Sequence, residues 1–73
     1  MIEVRLFATF RDGREKTLFL EAQKYSCAAD ILNHLNIPVE EVSILLINGR
    51  HSKPEAKLKD EDVLALFPPV GGG

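Results

Sequence analysis

Val63-Leu64-Ala65-Leu66-Phe67-Pro68-Pro69 is the stretch that decides the fold. Five consecutive apolar residues predict a strand, and the two prolines end it because they lack a backbone N–H. Near the other end of the chain, Ile2-Glu3-Val4-Arg5-Leu6-Phe7 alternates apolar and polar residues, which predicts a strand with Ile2, Val4 and Leu6 on its core face. These two runs are the most apolar combination in the chain. We therefore expect them to pair in the middle of a small mixed sheet.

A hairpin and a helix are predicted between these two strands. Residues 11–14 contain Asp-Gly and indicate a turn, and residues 17–21 alternate again, so they are expected to pair with the first strand. Ser26 is a plausible N-cap for the helix that follows, and Pro38 should end that helix near Asn36. The apolar stripe of the predicted helix is Ala28, Ile31, Leu32 and Leu35.

Two further strands of unequal quality are predicted after the helix. Residues 43–47 form an apolar run that suggests a strand with both faces at least partly covered, and Asn48-Gly49 closes it with a strong turn signal. Residues 50–59 are polar and contain Pro54, so they offer at best a short edge strand. Antiparallel hairpins with a single helix favour an α+β fold in which the helix packs on one face of the sheet.

The composition excludes several classes of protein. The chain has 73 residues, with nine Lys and Arg against eleven Asp and Glu, so it lacks the basic excess of a protein that binds nucleic-acid phosphates. One cysteine, Cys27, excludes an internal disulfide and a zinc site with several Cys ligands. No apolar stretch approaches the ~20 residues that span a bilayer, and the first residues lack the features of a secretory signal. We expect a single cytoplasmic domain without a membrane partner.

The last six residues, 68–73, do not read as part of the domain predicted in residues 1–67. Gly71, Gly72 and Gly73 have no side chains to pack, whereas Pro68-Pro69 is stiff and directs the chain away from the sheet. Six extended residues reach roughly 20 Å, enough to carry a terminal carboxylate into the active site of another protein. Many chain ends are disordered and have no function. When the three glycines are considered by themselves, that alternative stays open.

Both ends of the chain resemble the MoaD/ThiS family of ubiquitin-like sulfur carriers, and most closely its molybdopterin synthase small subunits. The similarity lies in the opening strand, residues 1–8, and in the ending Leu58-Lys59-Asp60-Glu61-Asp62-Val63-Leu64-Ala65-Leu66-Phe67-Pro68-Pro69-Val70-Gly71-Gly72-Gly73. Length and element order agree too, so the resemblance covers essentially the whole chain. Two positions depart from the family pattern. Gly71 stands where a small or polar side chain is usual, and Glu61 stands where a turn glycine is common.

The resemblance implies a β-grasp fold, with a small mixed sheet on one main helix and an extended, flexible tail. It also implies that the chain is no enzyme on its own but the sulfur-donating subunit of a sulfurtransferase. A partner adenylyltransferase of the ubiquitin-activating type would use ATP to adenylate the Gly73 carboxylate, and a sulfur donor protein would displace AMP to leave a thiocarboxylate. The tail would then enter the large subunit of molybdopterin synthase and give sulfur to a pterin precursor of the molybdenum or tungsten cofactor. The chain itself would hold no metal and no stable cofactor.

Partner-binding residues are predicted beside the tail and within it. Phe7 lies off the core face of its strand, and an apolar spot on an open sheet face usually marks a protein contact. The facing of Phe67 is ambiguous because both phases of its strand are apolar, but the resemblance supports a contact role for both rings. For Phe19, ordinary packing under a loop is an equal alternative. The predicted set is Phe7, Phe67, Pro68, Pro69, Val70, Gly71 and Gly72, with Gly73 as the reacting residue.

Other chemically capable residues are interpreted as structural or solvated. Cys27 has no His or Asp placed to form a nucleophilic set, and a small semi-buried residue is the better interpretation. His34 and His51 lack metal-ligand spacing, and the acidic residues 60–62 fit a solvated turn. The basic cluster in residues 11–16 fits a hairpin tip better than a phosphate site, although a charged contact at the rim of an interface stays open.

Alternatives for the function also stay open. The same tail chemistry could serve thiamine thiazole synthesis or tRNA thiolation, although Pro68-Pro69 favours the molybdopterin route. A ubiquitin-like protein modifier would instead join Gly73 to a lysine through an isopeptide bond. A ubiquitin-like interaction domain would have an inert tail.

Overall fold

A computed structural model describes residues 1–69 of the chain. Within them the chain forms a five-stranded sheet, one α-helix and three 3₁₀ turns. The strands are β1 (Ile2–Leu6), β2 (Thr17–Leu20), β3 (Ile44–Ile47), β4 (Arg50–His51) and β5 (Val63–Phe67), and the helix is α1 (Ala28–Leu35). The 3₁₀ turns are Ala8–Arg11, Ala22–Lys24 and Val39–Glu41.

The strand order is β2-β1-β5-β3-β4, so the first and last strands of the described residues pair in the middle of the sheet, as predicted. β1 and β5 run parallel, with Val4 opposite Leu64 and Leu6 opposite Leu66. The other three strand pairs are antiparallel, including the predicted β1–β2 hairpin. The predicted weak edge strand is confirmed as the two-residue β4.

The core lies between α1 and one face of the sheet, as the α+β prediction requires. Leu64 and Leu66 of β5 face the core, so the continuous apolar run divides into a fully buried face and a half-buried one. Each fully buried aliphatic side chain stabilises the fold by about 1.5–3 kcal/mol relative to an exposed one. The largest fully buried side chains are Ile2, Val4, Leu6, Ile31, Leu32, Leu64 and Leu66.

The start of α1 differs from the prediction, because the N-cap residue is Cys27 rather than Ser26. The first two helical N–H groups donate instead to backbone carbonyls in the 54–56 loop, at 3.2 and 2.8 Å. Ser26 donates its backbone N–H and its hydroxyl to the Asp30 carboxylate, both at 2.9 Å. These hydrogen bonds, with a smaller attraction from Lys57, hold the pKa of Asp30 below its ordinary value. The loop and the helix start are therefore fixed to one another.

The end of α1 lies at Asn36, as predicted. Asn36 adopts a left-handed conformation (φ +59°), and the next N–H, of Ile37, donates to the Leu32 carbonyl at 2.9 Å. This is the usual way for a helix to satisfy its last carbonyls. Arg14 adds a side-chain cap, because its guanidinium donates to the Leu35 carbonyl at 3.0 Å. The hairpin loop is thereby joined to the end of the helix.

A hydrogen-bonded turn network holds the start of β5. Asn48 and Gly49 both have positive φ (+53° and +83°), the geometry of the tight hairpin turn that the sequence predicts. The Asn48 side chain donates to Asp62 at 2.9 Å and accepts the Val63 N–H at 3.0 Å. Glu61, just before this point, has φ +72°, a conformation that a residue with a Cβ adopts only with strain. The departure noted in the sequence thus falls on a position whose backbone favours glycine.

Candidate functional site

Phe7 and Phe67 form a stacked pair at the end of the two central strands. Their ring centroids are 4.2 Å apart and their planes differ by 10°. Both rings lie on the sheet face opposite α1, because Leu6 and Leu66, their neighbours in sequence, point into the core. The stack resolves the ambiguous facing of Phe67. It also shows that the two predicted contact residues form one surface, which we call the aromatic pair.

Two further exposed apolar side chains lie on the open face of the sheet, one beside the aromatic pair and one apart from it. Ile44 lies opposite Phe67 in the β3–β5 register and is 37% exposed. Phe19 lies on the same face of β2, opposite Glu3, and is 61% exposed, so packing under a loop is the wrong interpretation for this residue. Exposed apolar side chains on an open sheet face are typical of surfaces that bind other molecules. The described residues thus present a sheet face suited to a partner.

Arg11 holds the aromatic pair in place from one side. Its guanidinium carbon lies 5.3 Å from the Phe7 ring centroid, within the range of a cation–π contact. Its Nε also donates to the Leu6 carbonyl at 2.7 Å, and Ala8, directly after Phe7, has φ +52°. Arg11 and Arg14 therefore act on the protein's own backbone.

The strand that leads to the tail is anchored at its last residue. The Phe67 carbonyl accepts the Ser43 N–H at 2.8 Å, which extends the β3–β5 pairing by one residue. Pro68 is half-buried and Pro69 is exposed, and both line a cavity of about 290 Å³ with residues of the hairpin loop and the end of α1. β5 itself ends at Phe67. The rest of the predicted tail, Val70, Gly71, Gly72 and Gly73, lies outside the described residues.

The remaining candidates stay separate from this site. Cys27 is half-buried, as predicted, and lies beside the 54–58 loop. His34 is exposed and its ring packs edge-on against Tyr25, with centroids 5.5 Å apart. His51 lies in β4, where the Asn48-Gly49 turn pairs it with Leu46. Among residues 1–69, no three His, Cys, Asp or Glu side chains come close enough to hold a metal ion.

Two features of the site were not found by sequence reasoning. Ile44 lies in a run of consecutive apolar residues, whose sequence does not indicate which side chains lie on which face of the strand. Only the register against Phe67 shows which of them lie on the open face. Phe10, in the turn after the aromatic pair, is buried (4% exposed) and belongs to the core. A loop residue gives no periodic signal, although an aromatic residue among polar ones could have been taken as a cue.

The family comparison covers nearly the whole chain. The model of the ThiS family matches residues 4–73. No curated protein sequence matches the chain.

No helix within residues 1–69 has the length and apolarity needed to cross a membrane.

Solved structures share the fold over 85% or more of their own length. The crystal structure of SAMP1 from Haloferax volcanii is 25% identical with a TM-score of 0.74, and the match covers 99% of this chain and 98% of that chain. The solution structure of the HVO 2177 protein from the same organism is 31% identical with a TM-score of 0.74, over 99% and 85%. A chain from the complex of subunits 1 and 2 of molybdopterin-converting factor from Helicobacter pylori is 26% identical with a TM-score of 0.63, over 99% and 97%. These likenesses confirm the predicted ubiquitin-like β-grasp fold.

Proposed function

We propose that the chain carries sulfur as a thiocarboxylate on Gly73. It belongs to the ThiS family, whose members are small ubiquitin-like sulfur carriers and not enzymes themselves. The observation that supports this most directly is the aromatic pair beside the last described residues. A partner that binds Phe7 and Phe67 also reaches the strand end from which residues 68–73 continue. Pro68, Pro69, Val70, Gly71 and Gly72 then form the stretch that a partner would have to accommodate.

The proposed chemistry needs three steps at the carboxylate of Gly73. A free carboxylate is a poor electrophile, so an adenylyltransferase of the ubiquitin-activating type first uses ATP to form the acyl adenylate and releases pyrophosphate. The outer sulfur of a persulfide on a sulfur donor protein then attacks the acyl carbon, AMP leaves, and an acyl disulfide joins Gly73 to the donor. A thiol supplied by a partner cleaves this S–S bond, so that the thiocarboxylate is released and the thiol and the donor cysteine form a disulfide. Acid, base and metal come from the partners, and this chain contributes the reacting group. Attachment to a folded body raises the effective concentration of the sulfur in the acceptor site.

For the acceptor we propose the molybdopterin route, in which the chain acts in the cytoplasm as the small subunit of molybdopterin synthase. The large subunit would bind the aromatic pair and receive the tail, and a pterin precursor would take the sulfur. This is supported by the likeness to the Helicobacter pylori chain, whose structure is named as a complex of two molybdopterin-converting factor subunits. The half-buried, stacked geometry of Phe7 and Phe67 gives such a partner a flat apolar surface to cover.

A protein modifier is the second candidate function. It is favoured by the likeness to SAMP1, because the same protein is also named small archaeal modifier protein 1. In that function the activated Gly73 would form an isopeptide bond with a lysine of another protein. Sulfur transfer to a thiazole precursor or to tRNA keeps the thiocarboxylate and changes the acceptor alone, and an inert tail would leave Gly73 unmodified.

Intact-mass measurement of the chain from its native cells tests the carrier chemistry. Replacement of oxygen by sulfur on the terminal carboxylate adds about 16 Da, whereas conjugates of high mass indicate a modifier. A variant that lacks Gly73 and a variant with one residue added after it are the matched controls, and neither should gain the 16 Da or be adenylated by the partner. Full adenylation of either variant would contradict the role of Gly73, and an unchanged mass of the natural chain would support the inert tail.

The acceptor is tested separately with the purified thiocarboxylated chain. We expect a stable complex with the molybdopterin synthase large subunit and conversion of its pterin precursor. If the large subunit fails to bind while the thiocarboxylate forms, the carrier function stands and the molybdopterin route is wrong.

A further inference from the structure

A basic cavity lies at the opposite end of β5 from the aromatic pair. It has a volume of about 450 Å³, and Arg50, Lys57 and Lys59 line it together with Asn48 and other polar residues. β5 begins beside this cavity and ends at Phe67, so the two sites are roughly 13 Å apart along the strand. The cavity is thus a separate surface from the one proposed to present the tail.

Positive charge is concentrated around this cavity although the chain is acidic overall. Four of the nine Lys and Arg residues of the chain fall in residues 50–59, against one acidic residue, Glu55, and the acidic residues 60–62 follow directly. The ion pairs found in residues 1–69 involve Arg5, Lys24 and the amino group of Met1, and none of the three cavity cations takes part in one. All three side chains are exposed. Their charges can therefore be reached by a molecule from outside, although Lys57 also attracts the Asp30 carboxylate.

The carboxylate in the cavity offsets only part of this positive charge. Asp62 accepts the Asn48 side-chain amide on one oxygen at 2.9 Å and the Lys59 backbone N–H on the other at 2.8 Å. It is therefore committed to the turn network that holds β5. The cavity lining keeps three cationic side chains against this one carboxylate.

We propose that this cavity, with Arg50, Lys57 and Lys59, is a docking surface for a carboxylate-rich face of a partner protein. A compact phosphate fits the geometry less well, because phosphate sites are built on free backbone N–H groups. Here the N–H groups of Ala56 and Leu58 already donate to backbone carbonyls, at 2.9 and 3.0 Å. Three separate, long cationic side chains instead match carboxylates spread over a protein surface.

The lining also argues against nucleotides and single-stranded nucleic acid. Those ligands are held by aromatic side chains on which the bases stack. None of the residues that line this cavity is aromatic, and the nearby ring of His51 in β4 does not line it. An acidic protein surface needs no such platform. It also tolerates Asp62, since separate carboxylates can place themselves around one negative charge.

Titration of the isotope-labelled chain with a synthetic ten-residue Glu/Asp peptide, followed by NMR, tests the proposal. We expect chemical-shift changes in residues 48–59 that weaken steeply as salt rises, because exposed charges are screened. The double variant Lys57→Gln/Lys59→Gln should bind the peptide at least about tenfold more weakly, since charged rims contribute to association. Lys16→Gln/Lys24→Gln removes the same net charge elsewhere and should bind as the natural chain does. Melting curves of both variants verify that they are folded.

Three results would overturn the proposal. Equal weakening by the two double variants would mean a response to net charge alone. Shifts of the same residues by inorganic phosphate at equal concentration, with displacement of the peptide, would make the cavity a small-anion site. No shifts at low salt would mean that the cavity binds neither. Peptide binding does not involve Gly73, so each result is independent of the thiocarboxylate proposal.

Discussion

Replacement of Phe67 by alanine is the most direct test of the aromatic pair as the partner-binding surface. The ring stacks on Phe7 at 4.2 Å, and such a pair contributes about 0.5–1.5 kcal/mol beyond the area that it buries. A partner that covers both rings would lose this preformed flat surface. Truncation of an aromatic hot spot costs about 2 kcal/mol or more. The dissociation constant of the complex with the large subunit should therefore rise roughly 30-fold.

The matched control is Phe19→Ala, because Phe19 has the same side chain on the same sheet face but lies on β2, away from the end of β5. We expect this variant to bind within about threefold of the natural chain, as most interface residues outside a hot spot do. Calorimetric titration of the large subunit with each variant gives the two constants, and thermal unfolding verifies that Phe67→Ala remains folded at the temperature used. A folded Phe67→Ala that binds as tightly as the natural chain, or an equal loss in Phe19→Ala, would refute the assignment.

Three further predictions concern the stability of the domain. Glu61→Gly should raise the melting temperature by about 2–8 °C. It removes left-handed backbone strain of roughly 1–2 kcal/mol, and the greater conformational freedom of glycine in the unfolded chain offsets only part of this gain. Glu61→Ala keeps the strain and should not raise the melting temperature. Asp30→Asn should flatten the acid side of the curve of stability against pH. The lowered pKa of Asp30 stabilises the fold above about pH 3.8, and this contribution is lost as the pH falls through the folded pKa. Urea unfolding at several pH values should therefore show the free energies of unfolding of the two proteins converging in acid. Asn48→Ala should lower the free energy of unfolding by about 1–3 kcal/mol, because the Val63 N–H and the Asp62 carboxylate lose their partner; an unchanged denaturant midpoint would mean that water replaces both hydrogen bonds.

The elements that the sequence predicted correctly are those with a single clear period. β1 alternates with period two and α1 repeats with the helical period, so their core faces could be assigned residue by residue. β5 is apolar on both faces, and its facing is fixed only when Leu66 pairs with Leu6. Period alone could not say whether Phe67 points to the core or to the open face. The register that decides this is a contact between residues about sixty positions apart.

Loop residues escaped prediction for a different reason. Phe10 is buried by a turn that the chain makes after β1, and Arg14 reaches the end of α1 from the same loop. Neither position belongs to a repeating pattern, so no sequence signal relates it to the element that it contacts. Cys27 became the N-cap in place of Ser26 because backbone carbonyls of the 54–56 loop satisfy the first helical N–H groups. A cap supplied by a distant loop cannot be read from the residues next to the helix.

The central position of β5 explains how so small a domain can present two separate surfaces. β5 is hydrogen-bonded to β1 on one side and to β3 on the other, and such a strand opens less readily than an edge strand. At its start, the turn network of Asn48 and Asp62 fixes the strand beside the basic cavity. At its end, the Ser43 N–H and the Phe7 ring fix Phe67 where the tail begins. A partner that gripped both ends would therefore hold the origin of the tail at a defined place, which is what delivery of a terminal glycine into an active site requires.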